Sequence, residues 1–196
     1  MLSIAVPRYN RLLVLFPRTD SYMPRPTDAV EHRRVLGIDP GLNITGYAVI
    51  DQVGKKLSLV EAGVVRGLTK HSLTARLKEI HIGVLEVVRG LQPQVLAIEE
   101  LYSHYKQPRT AILMGHARGV ICLAAALENV RVQHYAATQI KLTLTGNGHA
   151  PKSQMQQAIC REFGLLKPPE PADVADALAV ALCHCHFAKN VELGLG

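Results

Sequence analysis

The stretch Val35-Leu-Gly-Ile-Asp-Pro-Gly41 decides the fold, because it joins a short apolar run to an acid and a tight turn. A short apolar run that stops at Pro-Gly is typical of a buried strand with a turn behind it. Asp39 closes that strand, where a buried element rarely holds a charge. We therefore expect a core strand over Val35–Asp39 that places a carboxylate at one edge of a sheet.

The segments after this strand predict the rest of the sheet. Thr45–Ile50 and Leu57–Arg66 are β-branched runs joined by Gly54-Lys55, which is a hairpin signal. Further strands are expected over Val95–Glu99 and Val130–Tyr135. Helical spacing or an opening proline predicts helices over Leu73–Leu91 behind a Ser72 cap, Thr110–Leu127, Pro151–Phe163 and Pro171–Phe187. This order predicts an α/β fold, a mixed five-stranded sheet with helices on both faces.

The composition is that of an ordinary globular protein. The chain has 196 residues, of which 48% are hydrophobic and 19% charged, which suits one domain and excludes a disordered chain. No apolar run approaches the roughly 20 residues needed to span a bilayer, so we expect no membrane partner. The four cysteines are scattered through apolar segments rather than spaced as a disulfide framework, which favours a reducing, cytoplasmic compartment.

The net charge of +6 is divided evenly along the chain. Residues 1–34 hold six Arg and three acids, and residues 35–196 hold sixteen Lys and Arg and thirteen acids. A basic surface around an acidic centre would suit a nuclease, because phosphates are attracted to cations at the rim of the site. Charge alone fits any mildly basic protein equally well.

Residues 1–33 differ from the rest of the chain. They contain four prolines and no sustained periodicity, and we predict a disordered N-terminal extension there, a folded domain over residues 34–188 and a tail over residues 189–196. Several arginines with no acid before Asp20 give a weak resemblance to a transit peptide. A disordered arm, or a start codon placed upstream of a true start at Met23, are simpler interpretations.

Four acids stand where the core would exclude them. Asp39 and Glu99 end buried strands, and Asp173 and Asp176 lie three residues apart, on one face of an apolar helix. Carboxylates brought together repel one another unless a cation binds, and their hard oxygens favour Mg²⁺ or Mn²⁺ over zinc. Singly, Asp39 could cap a turn and Asp173 could be a favourable acid at a helix N-terminus. Glu100 should point to the other face of its strand.

Together with their flanks, these residues resemble the RuvC family of bacterial Holliday-junction resolvases from about Val35 to His186. The matching motifs are Gly37-Ile-Asp-Pro-Gly41, Thr45-Gly-Tyr47, Ala97-Ile-Glu99, Gly115-His-Ala-Arg-Gly119 and Ala172-Asp-Val-Ala-Asp-Ala-Leu178. The resemblance implies a ribonuclease H-like fold, a homodimer, two Mg²⁺ per active site with Mn²⁺ as a substitute, and paired symmetric nicks in four-way junction DNA. It also implies RuvA and RuvB, the branch-migration proteins, as partners.

The resemblance further implies a set of site residues. The catalytic carboxylates and metal ligands would be Asp39, Glu99, Asp173 and Asp176, with Asp39 bridging both ions. One ion would activate a water and the other would stabilise the leaving 3′ oxygen, which leaves a 5′-phosphate and a 3′-hydroxyl. The DNA-binding residues would be Tyr102, Lys106, Arg109, Lys141 and Lys152.

These DNA contacts also have a physical rationale. Lys141 and Lys152 flank the turn Thr145-Gly-Asn-Gly148 and could hold the scissile phosphate, although a solvated lysine is the alternative for each. Tyr102 lies among cations in the loop Leu101–Pro108, which suits stacking on unpaired bases.

Two other patterns are open to interpretation. Cys183-His-Cys-His186 suggests zinc, but consecutive helical positions diverge by about 100°, so core or surface filling is the better interpretation. Gly115 and Gly119 in a helix indicate close approach of another backbone, either in a dimer or onto the sheet. For a dimer, Ile112, Leu113 and Ile121 would be the apolar anchors.

Three rival functions fit parts of the pattern. A nucleotide-binding module of the actin and sugar-kinase type also opens with Asp-x-Gly, but it needs two such domains. A nonspecific ribonuclease H or related junction nuclease would share the fold. A structure-selective DNA-binding protein without chemistry would not need four intact acids.

Overall fold

The central strand of the molecule is the one that the opening stretch predicts. The computed structural model describes residues 11–14, 32–67, 70–101 and 108–192, with only the backbone described over 11–14 and 188–192. Its strands are β1 (Arg11–Val14), β2 (His32–Asp39), β3 (Ile44–Val53), β4 (Lys56–Arg66), β5 (Val95–Glu99) and β6 (Arg131–Tyr135). Its helices are α1 (Leu73–Leu91), α2 (Pro108–Leu127), α3 (Ala137–Thr145), α4 (Lys152–Phe163) and α5 (Ala172–Glu192).

The sheet has the order β1-β4-β3-β2-β5-β6. β2 pairs antiparallel with β3 and parallel with β5, and β5 pairs parallel with β6. The parallel register aligns the carboxyl ends of β2 and β5, so Asp39 and Glu99 close neighbouring strands at the same edge of the sheet. Gly54 adopts a φ of 57° in the turn between β3 and β4, as the hairpin signal predicts.

The mixed five-stranded sheet is confirmed for β2 to β6, and a sixth strand is added by β1. β1 pairs antiparallel with the edge of β4, from Arg11 opposite Val65 to Val14 opposite Ala62. The prediction of a disordered extension is therefore wrong for Arg11–Val14, and also for His32 and Arg33, which begin β2. An open strand edge offers backbone groups that any extended segment can pair with. The remaining residues before His32 lie outside the described part of the chain.

Helices cover both faces of the sheet, as predicted. α1 and α2 pack on one face around Leu36, Val49 and Ile98. α3, α4 and α5 pack on the other face around Val35, Ala48 and Ala97. Ser72 caps α1 by accepting a hydrogen bond from the Ala75 backbone N–H at 3.3 Å.

α5 carries two of the four acids and lies directly against the centre of the sheet. A Cβ atom built on Gly37 of β2 would lie 2.2 Å from the backbone oxygen of Ala177, so only glycine permits this approach. α5 extends to Glu192, so the predicted tail over residues 189–196 is wrong in its first four positions. Residues 193–196 lie outside the described part of the chain.

α2 is long and apolar enough, by length and composition, to cross a membrane. Its composition also follows from its packing, because Ala117, Ile121, Ala124 and Ala125 are buried in the core. It also carries Arg118, which a helix surrounded by lipid would rarely hold. The absence of a membrane partner stays a prediction.

Candidate active site

The four acids approach one another at the carboxyl edge of the sheet. Asp39 ends β2 and Glu99 ends β5, while Asp173 and Asp176 lie in the first two turns of α5. Asp39, Glu99 and Asp176 line a cleft of about 280 Å³, together with Lys141 and Lys152. Asp173 lies beside this cleft rather than in its lining, but its charge reaches Asp39.

The electrostatics of the cluster show that its negative charges are incompletely balanced. Burial raises the pKa of Asp39 to about 7, and the charges of Asp176, Asp173 and Glu99 add to that effect, while Lys152 opposes it. Burial also raises the pKa of Glu99, with a further contribution from Asp176 and an opposing one from Lys141. Such a cluster is stabilised by a cation.

Two lysines reach the cleft from helices that follow β6. Lys152 opens α4, and its Nζ forms an ion pair with Asp176 Oδ2 at 2.7 Å. The hydrogen bond to Asp176 is the main reason that the pKa of Lys152 is raised. Lys141 lies on α3 and lines the same cleft. Both predicted phosphate-binding lysines therefore stand beside the acids.

The donor set fits a hard divalent cation. The acids offer only carboxylate oxygens, and their crowding is unfavourable without positive charge. Among the described residues, no three His, Cys, Asp or Glu side chains are arranged to hold one metal ion as they stand. The ion pair from Lys152 occupies Asp176, so a bound cation would have to displace Lys152 from that carboxylate.

The predicted DNA-binding residues outside the cleft are described only in part. Arg109 lies exposed in the first turn of α2. Tyr102 and Lys106 lie outside the described residues, so their proposed contacts remain predictions.

The structure adds one side chain that sequence reasoning did not single out. Arg118 of α2 donates from Nε to the backbone oxygen of Glu99 at 3.0 Å, and its Nη2 donates to His134 Nδ1 on β6. Arg118 belongs to the segment Gly115-His-Ala-Arg-Gly119, so the motif signal was present, but it did not indicate a backbone partner.

The outer side of α2 is an open apolar surface. A groove of about 380 Å³ lies between α1 and α2 and is lined by Leu77, Ile112, Gly115, His116, Gly119 and Val120. No described atom lies within 4 Å of a Cβ built on Gly119, so packing onto the sheet does not explain that glycine. Ile121 is fully buried in the core, so its predicted role as a dimer anchor is wrong.

The Cys183–His186 segment fills the core, which confirms the preferred interpretation for its first three residues. Cys183, His184 and Cys185 are buried. His184 Nδ1 shares a hydrogen bond with Tyr135 Oη at 2.6 Å, and Cys183 Sγ donates to Thr143 Oγ1 at 3.6 Å. Burial lowers the pKa of His184 to about 4, so this side chain is a neutral structural group at neutral pH.

A known protein family and several known proteins are similar to this chain over most of its length. Residues 35–184 match the family described as crossover junction endodeoxyribonuclease RuvC. A crossover junction endodeoxyribonuclease RuvC from Rhodopirellula baltica is 56% identical over 156 residues, which cover 80% of this chain and 88% of that protein. Thermus thermophilus RuvC in complex with a Holliday junction substrate is similar with a TM-score of 0.76 and 35% identity, over 84% of this chain and 98% of that one. A yeast mitochondrial Holliday junction resolvase, 14% identical over 86% of this chain and 84% of its own, shares the fold with a TM-score of 0.61.

Proposed function

The chain belongs to the RuvC family of crossover junction endodeoxyribonucleases, and we propose that it resolves four-way DNA junctions by paired symmetric nicks in homologous recombination and repair. The observation that carries the proposal is the joint position of Asp39, Glu99 and Asp176 in one cleft with Lys141 and Lys152. Acids at the centre and cations at the edge fit a phosphodiester held for hydrolysis.

The family is a metal-dependent nuclease family, and we assign two Mg²⁺ to this site, with Mn²⁺ as a substitute. Asp39 would hold the ions, because the charges of the other three acids all act on it. Glu99, Asp173 and Asp176 would complete the ligand set. When bound, such ions polarise the attacking water and stabilise the leaving oxygen.

The chain's own cations position the substrate. Lys152 pairs with Asp176 and Lys141 lines the same cleft, so both would hold the non-bridging oxygens of a phosphate there. Arg109, Tyr102 and Lys106 would contact the DNA beyond the cleft. The products would be a 5′-phosphate and a 3′-hydroxyl.

The proposed homodimer is supported by the symmetry of the substrate and by the exposed surface of α2. A four-way junction is nearly two-fold symmetric, so two matched nicks need two sites related by a two-fold axis. Ile112, Leu123 and Leu127 of α2 are 61%, 50% and 58% exposed, and they are three of the six large exposed apolar side chains in the described part of the chain. A second copy that packs on this surface would cover them. A cytoplasmic location and partnership with RuvA and RuvB complete the proposal.

One assay tests the function against its rivals. The full chain is incubated with a labelled four-way junction, a linear duplex of the same sequence and an RNA–DNA hybrid, each with Mg²⁺ and with EDTA. We expect Mg²⁺-dependent nicking of the junction at paired positions and little cleavage of the other substrates. Equal cleavage of the hybrid would favour a nonspecific ribonuclease H, and binding without nicking would favour a DNA-binding protein. Calorimetric binding of ATP would favour the nucleotide-binding module.

A further inference from the structure

Glu99 lies where the sheet gives its backbone limited support. The register of β5 with β2 ends at Ile98, one residue before Glu99. On the other side, β6 still pairs there, and the Glu100 N–H donates to the Tyr135 backbone oxygen at 2.8 Å. Backbone pairing within the sheet therefore supports Glu99 on its β6 side only.

The Arg118 side chain provides a second contact to the Glu99 backbone. Its Nε donates to the Glu99 backbone oxygen at 3.0 Å, and its Nη2 donates to His134 on β6. The guanidinium therefore joins the ends of β5 and β6 and leaves the Glu99 carboxylate free to face the cleft. Two donors in a rigid plane fix a position better than one flexible donor does.

We propose that Arg118 is a positioning residue for the Glu99 carboxylate, acting through the Glu99 backbone rather than through DNA or metal. The inference rests on the proposed function, because it treats Glu99 as a metal ligand. Groups that orient a metal ligand typically change metal affinity or activity by about 10- to 100-fold when they are removed. Loss of Arg118 should therefore weaken the metal site.

The placement of Arg118 on α2 gives the bond a second consequence. On a helix with about 100° between residues, Ile112, His116 and Gly119 lie roughly 100–160° around from Arg118. The helix thus turns its open surface outward while Arg118 faces the end of the sheet. A change at Arg118 should consequently leave assembly through that surface intact.

The test compares Arg118→Met and Arg118→Ala with wild type and with Arg89→Ala. Arg89 is the control because it is also an arginine that bonds to a neighbouring segment, with its Nη2 paired to Glu128 just beyond the end of α2 at 2.8 Å, but it is exposed where Arg118 is half-buried. Mn²⁺ binding to the DNA-free full chain is measured by calorimetry, beside the Mg²⁺ dependence of junction nicking, sedimentation and junction affinity in EDTA. Circular dichroism identifies the folded variants.

We expect both Arg118 variants to bind Mn²⁺ at least about tenfold more weakly, and to need correspondingly more Mg²⁺ for half-maximal nicking. Their sedimentation and junction affinity should match wild type, Arg89→Ala should match wild type throughout, and excess metal should restore part of the nicking. Wild-type Mn²⁺ affinity in either folded Arg118 variant overturns the inference. If wild type itself neither binds Mn²⁺ nor nicks junctions, the proposed function fails and this inference fails with it.

Discussion

A Cβ atom built on Gly46 would lie 2.0 Å from the backbone oxygen of Asp173. Gly46 stands opposite Asp39 in the β2–β3 register. The contact at Gly46 therefore fixes how closely the first turn of α5 approaches the sheet beside Asp39. The neighbouring contact is backbone, which cannot move away as the tip of a flexible side chain can. The glycine of Thr45-Gly-Tyr47 is therefore required by the approach of the helix that carries two site acids.

Gly46→Ala should lower the rate of junction nicking by more than its loss of folding stability accounts for. The added methyl group has to push the first turn of α5 outward, and a misplacement of about 1 Å at a catalytic group can lower a rate by about 100-fold. The measurement is nicking under single-turnover conditions beside urea unfolding of the same preparation.

Gly83→Ala is the matched control for this prediction. A Cβ there would lie 2.4 Å from Val65 Cγ1, so it also crowds a helix against the sheet, but on the face away from the acids. Gly83→Ala should lower the free energy of unfolding, while the nicking rate per folded molecule stays near that of wild type. Equal loss of nicking in the two variants would show that crowding acts through stability alone.

Asp39→Asn, Glu99→Gln and Asp176→Asn should each abolish nicking while junction binding persists, because these groups are the proposed metal ligands rather than DNA contacts. A gel-shift assay in EDTA beside a nicking assay in Mg²⁺ decides this for each variant. Near-wild-type nicking by any of them would remove that residue from the site.

Asp39→Asn should also stabilise the metal-free protein at alkaline pH. The folded state raises the pKa of Asp39 from 3.8 to about 7, so the folded state binds a proton through that window while the unfolded state has released it. Stability is therefore lost as pH rises between these two pKa values, and Asn removes that loss, which is on the order of 4 kcal/mol at pH 8 for a shift of about three units. Urea unfolding in EDTA should show the advantage at pH 8 and a smaller one toward pH 4. A variant less stable than wild type at pH 8 would contradict the electrostatic account.

Lys152→Ala should change metal binding and nicking in opposite directions. Lys152 competes with a cation for Asp176, and the pair is half-exposed, so its removal should strengthen Mn²⁺ binding by roughly two- to fivefold. Nicking should fall at least about tenfold, because the proposed charged contact of Lys152 to the phosphate is lost. Lys167→Ala, in the exposed loop before α5, is the control for loss of positive charge. Weaker Mn²⁺ binding by Lys152→Ala would show that the lysine supports the ion site.

The four acids of the candidate site could be picked out from the sequence because each acid interrupts a strong local pattern. Asp39 and Glu99 end apolar strands, and Asp173 and Asp176 lie in an apolar helix, so no tertiary information is needed to notice them. α3 escaped prediction, because Thr138, Thr143 and Thr145 weaken its helical signal and the Ala136 side chain makes no capping hydrogen bond.

The parts that sequence could not supply depend on tertiary contacts. α2 is apolar around most of its circumference, so its sequence does not show which side faces the core, and Ile121 was assigned to the wrong side. Arg118 acts on a backbone oxygen 19 residues away, and no side-chain pattern encodes such a partner. β1 pairs with a strand about fifty residues later, and the prolines on either side of it in residues 1–33 suggested disorder.

A chain that starts at Met23 should keep full nicking activity, because β1 lies three strands away from β2 in the sheet, beyond β4 and β3. It should lose protection in β4, whose residues Ala62–Val65 pair with β1. Hydrogen exchange of peptides that cover β4 should be faster than in the full chain, while peptides from β2 and β5 stay unchanged. Reduced junction affinity in the shortened chain would indicate instead that the arginines of the extension bind DNA.

Gly119→Leu should separate the two nicks that a dimer makes together. The side chain would begin in the open groove lined by Ile112 and His116, where a Cβ on Gly119 would meet no described atom within 4 Å outside its own stretch of helix, so the monomer should accept it. Leucine is the better helix former by up to about 1 kcal/mol, so the fold should be at least as stable. A second copy that packs closely at this glycine would be displaced, and sedimentation should show a shift toward monomer.

Gly90→Leu on α1, also with open space around it, is the control and should leave the dimer intact. With a supercoiled cruciform plasmid, the Gly119 variant should yield nicked circles where wild type and the control yield linear DNA. If Gly119→Leu remains dimeric and still produces linear DNA in one binding event, the two copies meet on another surface.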